Sequence, residues 1–325
     1  MKKYFLFPIM LIAIISCSKD ETTSEIVTKT SEVLDFSSMS KMDEKVDEIY
    51  AIKAEMETKT VQTYTSKSSS SKNNPSNNSI STILRSYNLD RLSNINKLRE
   101  KLNFVSIQSI ADEINSLQLV NPEKANKLFI KHNEFLKKNK YNLTETIFEN
   151  RTSEVINEKG DVLINGKPVN FKISDSNNTT SKFITSSGKQ GSFYDADFRY
   201  IIAFSAGRQT HKDDFGRTFF RYWTRLNAIY RDPTTKMMTP CPTFFGTNSN
   251  SIAGFSQSGY NPLAGFEYTR EYPSGTGSEI SSVSSQKWTA YQVEGGHIQG
   301  LYQPLVGNEF FLYVDFDYDS DLLKK

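Results

Sequence analysis

The residues of this 325-residue chain with the most chemistry open to them are three histidines, two cysteines and a run of alternating aspartates. His211 falls in the polar run from Arg208 to Gly216, beside Asp213 and Asp214. An imidazole with two carboxylates has the makings of a general acid–base site, because these groups exchange protons near neutral pH. A polar hairpin loop uses the same residue types for solvation. His297 follows Gly295 and Gly296, with Glu294 as its nearest carboxylate in sequence. His132 lies on the apolar stripe of Leu128, Phe129, Phe135 and Leu136, the position of a histidine packed in a helix. No His-Glu-x-x-His, His-x-His or Cys-x-x-Cys spacing occurs, so neither a zinc site nor any other cofactor is expected. Cys241 stands between Pro240 and Pro242, which excludes the helix start that would activate a thiol; a buried, inert cysteine is expected.

Asp315, Asp317, Asp319 and Asp321 alternate along the carboxy-terminal stretch. On a strand they would share one face about 7 Å apart, a weak calcium candidate. Ser320 replaces the glycine of a calcium-binding loop, and a solvated strand end explains the aspartates as well. Trp223 lies between Arg221 and Arg225, all three on the face opposite Phe220 and Tyr222 if the segment is a strand. A tryptophan between arginines is a stacking platform for a sugar or an aromatic ligand, or part of a second buried face. Gly254-Phe255-Ser256-Gln257-Ser258-Gly259 misses the spacing of a nucleophile elbow by one residue. Ser187-Gly188-Lys189 lacks the upstream glycine of a phosphate loop. Both read as loops.

The elements that would position these residues divide by composition. All 16 glycines lie at or after Gly160, and both tryptophans and most aromatic residues follow Phe193. Glycine supplies turns and aromatics suit pleated surfaces, so the later half reads as β-rich and the earlier half as helical. A helix is expected from Ser40, with Met42, Val46, Ile49 and Met56 at helical intervals. Ser66–Ser79 is a Ser/Asn/Lys stretch that reads as a disordered linker. Leu92, Ile95 and Leu102 mark a second helix, and Ile107, Ile110, Ile114 and Leu117 a third. Asn121-Pro122 opens a fourth, running to about Lys138. Leu34-x-Phe36, Ser38, Met42, Val46 and Ile49 match Leu102-x-Phe104, Ser106, Ile110, Ile114 and Leu117 at a constant offset, the pattern of a duplicated unit. Beyond it, Asn165-Gly166 between short apolar runs signals a hairpin, with Pro168 shortening the return strand. Period-2 apolar faces at Tyr200/Ile202/Phe204, Phe220/Tyr222, Phe266/Tyr268 and Phe310/Leu312/Val314/Phe316 follow. The expected fold is α+β, with amino-terminal amphipathic helices followed by an antiparallel β-sandwich-like domain.

The amino terminus reads as an address. Lys2 and Lys3 precede a twelve-residue apolar run from Tyr4 to Ile15, too short for the ~30 Å hydrocarbon core of a bilayer. Ser16-Cys17 after an aliphatic pair resembles the lipobox of bacterial lipoproteins, and Ser18-Lys19-Asp20-Glu21 is similar to the acidic export signal of Bacteroidota. The Phe-x-Ser-then-helix pattern at Phe36 and Phe104, followed by the Gly160–Gly166 hairpin, is also similar to uncharacterised Bacteroidota surface lipoproteins. The resemblance implies acylation of Cys17 and placement at the outer membrane, facing the cell exterior; it carries no catalytic motif. The expected organisation is a signal peptide over 1–16, a tether over 17–33 and a helical unit over 34–62. A linker over 63–80, a second helical unit over 81–150 and a β domain over 151–325 complete it.

Removing residues 1–16 leaves basic and acidic side chains equal in number, which argues against nucleic acid as a partner. A non-catalytic binder of a glycan or protein is the expectation, with Trp223, His211, Asp213, Asp214 and His297 as candidate binding residues. An extracellular hydrolase using Asp213 or Asp214, and a subunit of an outer-membrane assembly, are the alternatives.

Overall fold

The computed structural model describes residues 32–69, 77–148, 151–169, 171, 184–194, 199–212, 216–241, 244–245, 254–261, 266–273, 279–283, 295–303, 310–317 and 323–324. Cys17, the tether up to residue 31, Asp213, Asp214, Asp319 and Asp321 lie outside them. The fold is mixed, with helices first and antiparallel strands after.

The first part comprises β1 (Asp35–Phe36), α1 (Met39–Ser69), α2 (Asn77–Leu102), α3 (Ile107–Val120) and α4 (Pro122–Lys131). It continues through β2 (Leu136–Lys138), β3 (Thr144–Thr146), a 3-10 turn at Thr152–Glu154, β4 (Leu163–Ile164) and β5 (Lys167–Pro168). Helix α1 begins one residue before the expected Ser40, because Ser38 is the cap: its Oγ accepts the Lys41 N–H at 3.2 Å. Ser106 caps α3 in the same way, accepting from the Ser109 N–H at 3.1 Å. The two capping serines therefore obey the offset seen in sequence. So do Met42, Val46 and Ile49 against Ile110, Ile114 and Leu117, all six buried in one cluster with Phe148, Val155 and Ile156. The leading segments differ. Leu34–Phe36 enters a strand, whereas Leu102 closes α2 and Asn103 turns the chain with φ +47°.

Both long helices reach into the stretch expected to be a linker. Tyr64, past the expected helix end at residue 62, is buried edge-on against Tyr87, with ring centres 5.7 Å apart. Its hydroxyl donates to Asp90 Oδ2 at 2.7 Å, and Asn94 Nδ2 donates to Thr60 Oγ1 at 2.9 Å. Tertiary contacts along α1 and α2 thus override a sequence that is weakly helical on its own. Helix α4 stops at Lys131, short of the expected Lys138, with His132 as its C-cap. Leu136 keeps its place in the core from a strand, because one apolar residue fits either period.

The Asn165-Gly166 turn has φ +51° and +69°, as a type I′ hairpin requires, and each arm is two residues long. Strand β1 pairs parallel to β4, and Asp35 Oδ1 accepts the Gly166 N–H at 3.0 Å. Val162 and Phe171 belong to the helical core, so that core extends past the expected boundary at 150 to residue 171. The first glycines mark turns inside this unit.

The second part comprises β6 (Ile184–Tyr194), β7 (Tyr200–Lys212), β8 (Thr218–Arg231), β9 (Met238–Pro240), β10 (Phe244–Phe245) and β11 (Gly254–Asn261). Then come β12 (Phe266–Pro273), β13 (Glu279–Val283), β14 (Gly295–Gln303), β15 (Phe310–Asp317) and β16 (Leu323–Lys324). A five-stranded sheet has the order β13-β8-β7-β6, with β9 also on β8. A six-stranded sheet has the order β12-β11-β14-β15-β16, with β10 also on β14. Every pairing in both is antiparallel. Three segments expected as loops are strands: His211 lies in β7, Gly254–Gly259 in β11 and Ser187–Lys189 in β6. Their glycines are strand positions without a side chain, not chain reversals.

Candidate functional site

The site is built where the helical unit meets the five-stranded sheet. At the lower end of that sheet both faces are buried. Tyr200, Ile202, Phe204, Ala228 and Tyr230 lie on one face, and Ile201, Ala203 and Ile229 lie on the other. The second face packs on Tyr141 and Leu143 from the β2–β3 hairpin. Asn88 of α2 fixes the edge, its Nδ2 donating to Thr239 Oγ1 at 3.2 Å and to the Pro240 carbonyl at 3.3 Å. A small cleft remains at this joint, bordered by Arg91, Asp112, Asn115, Glu145 and Asn227. Its volume is about 20 Å³, room for roughly one water molecule. Its walls are tied to one another. Asn115 Nδ2 donates to the Thr144 carbonyl at 2.9 Å while its Oδ1 accepts the Thr144 N–H at 2.7 Å. Asn139 Nδ2 donates to Glu145 Oε1 at 2.8 Å. The cleft is a joint, too small for an organic ligand.

Beyond the cleft the same sheet face changes character. From the joint outward along β8 it carries Ile229, Asn227, Arg225, Trp223 and Arg221, since alternate residues share a face. The expectation that Arg221, Trp223 and Arg225 lie opposite Phe220 and Tyr222 agrees with this register. Across the strands, Arg225 stands opposite Ser205 and Ser281, and Arg221 opposite Gln209. Trp223 stands opposite Gly207, and Gly207 opposite Gly188. Gly188 and Gly207 thus stand in the row of Trp223 on two successive strands. In the rows on either side, Ser186 pairs with Gln209 and Gln190 with Ser205.

His211 lies on this face too, two same-face positions beyond Gly207 and opposite Phe219. His297 is in the other sheet, so the two histidines are not brought together on one ladder. Its own neighbours in register are Ser256 on β11 and Asp315 on β15. Asp315 and Asp317 share a face of β15, as alternation requires, with Asp315 also opposite Lys324. Among the described residues no group of three or more His, Cys, Asp or Glu is placed to hold a metal ion. Cys241 is buried, as expected, and its N–H donates to the Ala228 carbonyl at 3.1 Å.

Elsewhere the titratable groups do structural work. His132 is buried at the end of α4, and burial pushes its pKa below the ordinary 6.5, with Lys131 adding to the shift and Glu158 opposing it. Burial also lowers Lys138, whose Nζ donates to Thr144 Oγ1 at 2.8 Å. A second polar cluster escaped the sequence reading. Lys53 Nζ reaches Asp112 Oδ2 at 3.0 Å and Glu154 Oε1 at 2.6 Å, and both carboxylates are buried. Gln108 Nε2 donates to Asp112 Oδ1 at 2.8 Å, and Ser153 Oγ donates to Gln108 Oε1 at 2.9 Å. Arg151 pairs with Asp47 beside it. These bonds lock α1 to α3 and to the 3-10 turn.

Among the described residues no helix is long and apolar enough to cross a membrane. The chain matches no protein-family model, no curated protein and no solved structure.

Proposed function

We propose that this is a lipid-anchored protein of the bacterial outer surface whose five-stranded sheet binds a glycan on the face bearing Trp223. The observation that carries the binding reading is the register of Gly188, Gly207 and Trp223 in one row. A tryptophan in a row with two glycines, with serine and glutamine in the neighbouring rows, would combine a stacking surface with hydrogen-bonding groups. The address rests on the lipobox-like Ser16-Cys17 and on the acidic residues behind it. Several acyl chains, at about 0.8 kcal/mol per buried methylene, would hold the protein firmly. The two large sheets would stack as a sandwich through the apolar faces that register gives each of them. Ile202 and Phe204 lie on one such face, and Leu312, Val314 and Phe316 on the other. The Trp223 face then points away from the stack.

Two measurements test this. Cys17→Ser should abolish labelling by radioactive palmitate and release the protein from membranes; undiminished labelling refutes the anchor. Trp223→Ala should remove retention in affinity gels containing polysaccharide without altering the circular dichroism spectrum; unchanged retention on every retaining polymer refutes the site.

A second reading, an extracellular hydrolase, draws on the placement of His297 between Ser256 and Asp315 in register. A hydrolytic activity that survives His297→Ala would not come from that row.

A further inference from the structure

A nucleophile and two carboxylates meet in the buried cluster between α1, α3 and the 3-10 turn. Lys53 Nζ, on α1, lies 2.6 Å from Glu154 Oε1 and 3.0 Å from Asp112 Oδ2. Both carboxylate side chains are nearly sealed from solvent, 6% exposed at Asp112 and 1% at Glu154. The other oxygen of Asp112, Oδ1, accepts from Gln108 Nε2 at 2.8 Å, and Ser153 Oγ holds Gln108 in place at 2.9 Å. Thr152 and Ser153, which lead into Glu154, are fully buried. An ion pair needs one carboxylate. Here the amine meets two in different settings, and Asp112 has its second oxygen polarised by an amide N–H. That division supplies the parts of an amide-forming centre: a nucleophile, an electrophile whose oxyanion meets a donor, and a proton carrier.

We propose that the side chains of Lys53 and Asp112 become joined by an intramolecular amide bond, with Glu154 as the proton carrier. The reaction starts from the ion-paired arrangement. The Lys53 ammonium gives a proton to Glu154, which passes it to Oδ2 of Asp112; the resulting neutral amine and neutral acid are less costly to bury than the two ions. The amine lone pair attacks Cγ of Asp112. A C–N bond forms, and the carbonyl electron pair moves onto Oδ1, where the Gln108 N–H stabilises it. Glu154 takes a second proton from the nitrogen and gives it to the Oδ2 hydroxyl. The carbonyl re-forms as the C–Oδ2 bond breaks, and water leaves with that bonding pair. One ammonium and one carboxylate have become one amide and one water. Glu154 ends as the carboxylate it began, and no oxidant or further reactant is consumed. Packing supplies the rate, because groups held in contact react as though present at very high concentration. Burial of both carboxylates keeps bulk water from competing. The bond ties α1 to α3 across 59 residues of chain.

The test is mass spectrometry of a tryptic digest of the full chain, unfolded before digestion. An amidated Lys53 resists trypsin, so residues 46–59 should appear joined to residues 102–124, at the summed mass of the two peptides less one water. Fragmentation should place the bond at Lys53 and Asp112. Lys53→Arg keeps a cation but lacks a comparably nucleophilic amine, and should give residues 102–124 unjoined. Glu154→Gln, checked for folding by circular dichroism, should leave most chains unjoined, with Lys53 again open to cleavage. The wild-type digest decides the bond even where a variant does not fold. Cleavage after Lys53, with residues 102–124 at their unmodified mass, overturns the proposal and leaves a salt bridge only. A bond from Lys53 to residues 152–159 overturns the assignment of Asp112 as the electrophile. Joining as complete in folded Glu154→Gln as in the wild type overturns the role of Glu154.

Discussion

Lys53→Met probes the buried cluster that joins α1 to α3. The lysine is the cation for two carboxylates, Asp112 at 3.0 Å and Glu154 at 2.6 Å, whose side chains are 6% and 1% exposed. Methionine keeps the apolar stem and removes the charge, leaving two buried anions without their shared counter-ion. Breaking a buried pair in this way costs about 3–5 kcal/mol. Lys53 itself is 22% exposed, and water reaching that end of the cluster favours the lower bound, about 3 kcal/mol. With a urea m-value of about 1.5–2 kcal/mol/M for a unit of this size, the midpoint should fall by about 1.5–2 M. Urea unfolding followed by far-ultraviolet circular dichroism measures it, since the helices dominate that signal. Adding Glu154→Gln should restore part of the loss, because it removes the more deeply buried of the two uncompensated charges and leaves Asp112. A midpoint shift no larger than that of an exposed pair such as Lys59–Glu55, or a double variant as unstable as the single one, would refute the reasoning.

Other perturbations read other parts of the fold. Ile114→Ala removes a fully buried side chain from the central cluster and should cost about 3–4 kcal/mol in the same unfolding assay. Ile130→Ala, at a position 60% exposed, should change stability by less than about 0.5 kcal/mol. His132 has its pKa lowered by burial, so on acidification the unfolded chain binds a proton that the folded chain refuses. Stability should therefore fall as the pH drops through the ordinary value of 6.5, and His132→Gln should flatten that part of the profile; identical profiles for the two proteins would contradict the assignment. At Gly160, with φ +85°, a Cβ would lie 2.6 Å from Phe135 Cε1. Gly160→Ala should thus lower the melting temperature, whereas Gly166→Ala, with φ +69° and only Asp35 Oδ2 at 4.0 Å, should cost the backbone strain alone.

What was legible in the sequence was periodic or local. Met42, Val46 and Ile49 and their counterparts at Ile110, Ile114 and Leu117 announced two buried helix faces, and Asn165-Gly166 announced its hairpin. The placement of Arg221, Trp223 and Arg225 on one face followed from alternation alone. Pairings between distant segments were not legible. Lys53 meets its two partners across 59 and 101 residues of chain, and no spacing rule connects them. The long ends of α1 and α2 owe their helicity to contacts such as Tyr64 with Tyr87, which local propensity does not encode. Gly188 looked like a loop residue and nothing singled out Gly207, because the sequence does not say what stands opposite either; only the register places them in the row of Trp223.

With the anchor proposed at Cys17, the short parallel pairing of β1 with β4 would have a mechanical consequence. Two backbone bonds join β1 to the hairpin, Leu163 N–H to the Leu34 carbonyl at 2.9 Å and Asn165 N–H to the Phe36 carbonyl at 2.8 Å. Tension applied at the amino terminus would run along β1 and shear both bonds together instead of peeling them singly. Once they yield, the pull is taken up at Ser38 by the start of α1, whose Met42, Val46 and Ile49 are seated in the core. A pull on the amino terminus would therefore act first on a two-residue strand, sparing the sheets that lie far along the chain.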